Sequence, residues 1–183
     1  MTSAGTTPGT DQSVVDRERA DLLDAMGRHR RFLRHTVQGL TDEQARLRPT
    51  VSALCLGGII KHVAAAEARW AEFMIRGPAA FPATDWSSPE TAARWAAEHD
   101  LLPGETLAGV LERHAAVAAR TDELVCTLPS LDVEHPLPAT PWFEPGAAWS
   151  ARRVVLHIIA ETAQHAGHAD VIRETIDGQK TMG

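Results

Sequence analysis

The chain has 183 residues and a mass of 19.8 kDa, with 44% hydrophobic and 23% charged residues, which suits one globular domain with a sizeable core. Its formal net charge of −6 argues against nucleic acid and anionic membrane surfaces as partners, since both reward a basic face. No apolar run approaches the roughly 18 residues of a bilayer span, and the N-terminus lacks the layout of a signal peptide, so a cytoplasmic location is expected.

The small, polar stretch "MTSAGTTPGT" marks residues 1–12 as an expected disordered tail, with a single domain over 13–179. A first long helix is expected over about 11–39, because Leu22, Met26, Leu33, Val37 and Leu40 recur at three- and four-residue steps. Thr41 and Gln44 have capping-box spacing and open a short connector that stops at Pro49. A second long helix, about 53–76, gathers Ile59, Val63, Ala66, Trp70, Phe73 and Met74 on one arc and ends at Gly77-Pro78.

The Pro-rich stretch that follows reads as a long loop holding one short helix, capped by Ser88 and running to about His99. A third long helix covers about 105–127. A second long Pro-rich connection then leads to Ser150, the expected cap of a fourth helix that Gly178 closes. Connections this long in a small domain are often binding loops. No run alternates with period two, so no sheet is expected. The fold class is therefore all-α, a four-helix bundle with long loops between long helices two and three and between three and four. Cys55 and Cys126 lack CxxC or framework spacing and read as free, core-filling thiols.

The last helix, "VVLHIIAETAQHAGHADVIRETIDG", carries the chemistry. On a wheel of about 100° per residue, His157, His165 and His168 all fall within roughly 40° of Glu161, beside Val154, Ile158 and Ile172, while Arg152, Asp170, Glu174 and Asp177 face away. A carboxylate on an apolar seam has to be paired, neutralised or metal-bound. Glu161 and His165 stand one turn apart and reach a common point, as an ordinary hydrogen-bonded pair or as two ligands of a divalent cation. A third ligand has to come from another helix. His62 borders the apolar arc of the second long helix and is the best placed, although a histidine there also fits as a plain core residue.

The segments "GLTDEQARLRPTVSALCLGGIIKHVAAAEARW" and "HIIAETAQHAGHADVIRETIDGQ" together resemble the DinB/YfiT-like superfamily, in particular its actinobacterial branch of mycothiol-dependent enzymes. The likeness spans about residues 14–179. It implies a four-helix bundle with a divalent metal held by His62, Glu161 and His165, zinc first, with nickel or iron(II) as alternatives. Many relatives have histidine where Glu161 stands, and the glutamate form is similar to the mycothiol-dependent maleylpyruvate isomerases. Those carry a further C-terminal domain, so isomerase activity is not expected of this chain.

The resemblance further implies that mycothiol, a low-molecular-weight thiol, ionises on the metal and attacks a small electrophile, a detoxifying S-transfer. His168 would act as the base that takes the thiol proton, and His157 would orient a ligand from behind. Trp86, Trp95, Trp142, Phe143 and Trp149 are candidate cavity walls, or alternatively packing residues. Two other classes stay open: a metal-dependent hydrolase, and a non-catalytic metal- or thiol-binding stress protein. The expected partners are thus a small thiol and an electrophile, with the chain a monomer or a homodimer.

Overall fold

The four expected long helices form at α1 (Gln12–His35), α3 (Leu56–Arg76), α5 (Leu107–Thr127) and α6 (Ala151–Asp177), with two short helices between them, α2 (Asp42–Arg46) and α4 (Pro89–Glu98). The computed structural model describes residues 12–181, with side chains from Arg17 onward. The expected N-terminal tail lies outside the described residues except at residue 12, where α1 begins. Within the bundle α1 packs on α6, and α3 packs on both α5 and α6.

The local signals act where their chemistry places them. The Thr41 side chain accepts from the Gln44 N–H while the Gln44 side chain accepts from the Thr41 N–H, satisfying two donors that a helix start otherwise leaves free. Ser88 caps α4 by accepting from the Thr91 N–H, with Pro89 in the first turn, and Ser150 caps α6 by accepting from the Arg153 N–H. Gly178 ends α6 at φ 79°, a left-handed conformation that glycine adopts without steric cost.

Two apolar clusters fill the bundle. Leu33, Val37, Leu56, Ile59, Val110 and Ile172 belong to one, and Met26, Trp70, Phe73, Val125, Val154 and Ile158 to the other. Each such side chain contributes about 1.5–3 kcal/mol by leaving water. Charge also enters the core. Arg30 on α1 donates to Glu67 on α3, with Nε–Oε2 at 3.2 Å, and to Asp122 on α5 at 2.7 Å, and both Arg30 and Glu67 are buried. Arg173 is buried too and donates to the carbonyls of Thr36 and Gln38, tying α6 to the chain just past α1.

Two expectations are corrected. A small antiparallel hairpin pairs β1 (Glu134–Pro136) with β2 (Ala148–Ser150), Glu134 opposite Ser150. Strands of three residues, one of them ending on proline, are too short to show an alternating pattern. The hairpin holds the connection between α5 and α6 in place, with the Ala151 N–H continuing the ladder to the Val133 carbonyl. Of the two cysteines only Cys55 is buried, and Cys126 is exposed.

Candidate metal centre

The buried residues of α6 are Ala151, Val154, Val155, Ile158, Thr162, Ala166, Ala169, Ile172 and Arg173. That stripe centres about 80° round the helix from Glu161, at roughly 100° per residue. Glu161 therefore stands at the edge of the buried face rather than at its middle, with its side chain 27% exposed. An edge position suits a working carboxylate. It faces α3 and is also open to a cavity.

His62, on α3, points into this edge from the deeper side and is buried. Its Nε2 lies 3.2 Å from Glu161 Oε1, and His165 Nε2 lies 3.3 Å from the same oxygen. The two imidazole rings stand 4.9 Å apart at 66°. One donor atom from each of His62, Glu161 and His165 lies within 4.8 Å of the others, so the fold brings together the three residues grouped from the sequence.

The hydrogen bonds from His165 and, second, from His62 hold the Glu161 carboxyl well below the usual carboxylate range, against the opposing effect of burial. Read as hydrogen bonds to a carboxylate, 3.2 and 3.3 Å are long. Read as ligand-to-ligand edges they fit well, because tetrahedral bonds of about 2.0–2.1 Å place neighbouring donors roughly 3.3 Å apart. Two nitrogens and one ionised oxygen are a suitable donor set for a divalent first-row cation. The Nδ1 atoms of His62 and His165 are buried with no hydrogen-bond partner among the described residues.

His99 was missed as a contributor. It caps the C-terminus of α4 and stacks on His62 at 4.0 Å and 24°, while its Nδ1–H donates to the Trp95 carbonyl at 2.8 Å. Burial, the largest influence on this ring, lowers its pKa. The sequence signal was thin: a histidine where a short helix stops.

The other two histidines of α6 sit differently from expectation. His157 packs on Trp70 at 4.8 Å and Trp149 at 5.1 Å, and burial lowers its pKa. It is part of the cavity wall rather than a support behind a ligand. His168 is exposed. Its ring meets His165 edge-on at 5.4 Å, and it does not join the lining of the cavity.

The cavity next to the cluster has a volume of about 700 Å³ and reaches His62 and Glu161, within the range of small-molecule sites. Helices α3, α4 and α6 and both long connections enclose it. Trp70, Phe81, Trp86, Trp95, Trp142 and Phe143 give its walls an aromatic share, and an ion pair between Arg69 and Glu98 at 3.1 Å joins α3 to α4 on one side.

The fold has a structural counterpart in a conserved protein from Enterococcus faecalis, at a TM-score of 0.61 and 14% identity, over 86% of this chain and 96% of that one. No curated protein matches. The resemblance carried by the two sequence segments is borne out by a family model described as mycothiol-S-transferase, which matches residues 21–178. The chain belongs to the mycothiol-S-transferase family.

Proposed function

We propose that the chain is a divalent-metal-dependent S-transferase that joins mycothiol to an electrophilic small molecule. The observation that carries this reading is the convergence of His62, Glu161 and His165 beside a cavity of small-molecule size that His62 and Glu161 help to line. These three side chains would hold the cation, zinc by preference for such nitrogen and oxygen donors, with nickel or iron(II) also compatible. A divalent cation there supplies the acidity that lets a coordinating thiol ionise at neutral pH.

The chain's own residues do the rest. Glu161, held ionised, offsets positive charge at the site. His99 keeps the His62 ring from turning. The aromatic walls limit water around the sulfur and hold the electrophile beside it, which converts an encounter in solution into a positioned reaction. Sulfur forms a bond to the electrophilic carbon. A halide then leaves with its electron pair, an epoxide oxygen opens and takes a proton from water, or the neighbouring carbon of an activated alkene takes that proton. The thiol proton passes to solvent at the open mouth. His168, exposed beyond His165, is assigned a positioning role as the outer buttress of that ring rather than the role of base.

Hydrolysis draws less support, because Glu161 is used as a ligand and Glu98 is engaged by Arg69, which leaves no free carboxylate in the cavity to activate water. The test is conjugate formation from mycothiol and a model electrophile, followed by mass spectrometry. Metal-dependent conjugation above the rate in buffer supports the reading. Thiol binding without turnover favours a non-catalytic protein, and cleavage without thiol favours a hydrolase.

A further inference from the structure

We propose that the tryptophan-ringed mouth of the cavity is the acceptor subsite and that it selects flat, apolar, π-rich electrophiles over compact ones; this rests on the transferase reading above. Trp86 comes from the connection between α3 and α4, and Trp142 from that between α5 and α6. Their rings meet edge to face at 4.5 Å, and Trp95 of α4 joins Trp86 at 6.3 Å. All three line the cavity, yet they are 39%, 56% and 47% exposed for Trp86, Trp142 and Trp95. Deeper in, Trp70 is only 8% exposed and stacks on Trp149 at 4.9 Å.

The contrast between the two levels carries the inference. An indole buries about 150–250 Å² when covered. Trp70 realises that gain inside the protein, whereas the three mouth tryptophans leave much of it unrealised, on segments whose placement depends on one another. A macromolecular partner would cover such a patch from outside, but the rings line a cavity of about 700 Å³ that leads to the histidine–glutamate cluster. A small molecule that enters covers the indole faces and brings its reactive carbon to the sulfur. Aromatic faces reward a flat π-system through offset or edge-to-face contact, beyond the area it buries.

Two chloroacetamides of like reactivity test this. Chloroacetanilide carries a phenyl ring, and N-methyl chloroacetamide carries none. In both, mycothiol sulfur bonds to the methylene carbon, the carbon–chlorine bond breaks, chloride leaves with the electron pair and the thiol proton goes to solvent. The full chain would carry Cys126→Ser, to remove its exposed thiol, and would be used with its metal as purified. After division by the uncatalysed rates, kcat/KM should favour chloroacetanilide about tenfold.

Trp142→Ala should erase that preference by raising KM for chloroacetanilide alone, with KM for mycothiol unchanged, and Trp142→Phe should restore most of it. Unreactive acetanilide should quench tryptophan emission saturably, and less so in Trp142→Ala. Equal kcat/KM for both substrates, or no saturable quenching, overturns the subsite even if transfer occurs. Quenching that Trp142→Ala weakens, with no turnover of either chloroacetamide, supports the subsite and overturns the transferase reading instead.

Discussion

His99 lies over His62 with ring centroids 4.0 Å apart, so the end of a short helix packs against the ring proposed as a metal ligand on a long one. His99→Ala should therefore weaken metal binding on the order of 10–100-fold, the usual cost of losing a group that orients a ligand. His99→Phe should recover most of it by keeping the stack. Competition against a chelating dye measures both. Unchanged affinity in His99→Ala would remove the orienting role.

Gly58 sets where that stack can form. A Cβ on this residue would lie 1.9 Å from the His99 carbonyl oxygen, so Gly58→Ala has to push the end of α4 away from α3. Thermal stability and metal affinity should fall together, the former by about 1–3 kcal/mol. Gly167→Ala is the control. Nothing lies within 4 Å of its added methyl, and removing a helical glycine should raise stability by about 0.5–1 kcal/mol.

The pair of Arg30 and Glu67 is enclosed in the bundle. Glu67→Ala leaves a buried guanidinium with only Asp122 as acidic partner and should cost about 3–5 kcal/mol in urea denaturation. The double variant Arg30→Met, Glu67→Leu should be markedly more stable than Glu67→Ala, since replacing both charges with apolar groups avoids the unpaired charge. Additive losses in the double variant would contradict this account.

His114 on α5 is buried, and neither ring nitrogen has a hydrogen-bond partner among the described residues. Burial first, then the charges of Arg34 and Arg30, lower its pKa from 6.5 to about 4. Below pH 6.5 the unfolded chain gains a proton here that the folded chain takes up only near pH 4. Stability should fall as pH drops through that window, by about 3 kcal/mol in all, and recover as pH rises. His114→Leu should flatten that dependence in denaturation curves between pH 7 and 4.5. An unchanged slope would mean that the ring takes up its proton in the folded state as readily as in the unfolded one.

The parts legible from the sequence were those with local causes. The long helices follow from apolar spacing, and their ends from Thr41 with Gln44, Ser88, Ser150 and Gly178, each acting within one turn. Glu161 with His165 could be read from a single turn, and His62 from its place beside an apolar arc. What stayed hidden depends on distant pairing. The hairpin forms between segments too short to alternate. Arg30, Glu67 and Arg173 look like surface charges until a partner on another element buries them. His99 acquires a role only when α4 lies against α3. The wheel misplaced His168 because it took Glu161 as its centre, whereas the buried stripe of α6 runs through Thr162 and leaves residue 168 outside it.

The most direct test of the central claim is elemental analysis of the purified protein beside His62→Ala, Glu161→Gln and His165→Ala. Three converging ligands predict about one divalent metal per chain in the parent and the loss of most of it in each variant, with circular dichroism showing that the helices persist. Full occupancy in all three variants, or a parent that takes up no divalent metal when it is offered, would contradict the assignment of His62, Glu161 and His165 as ligands.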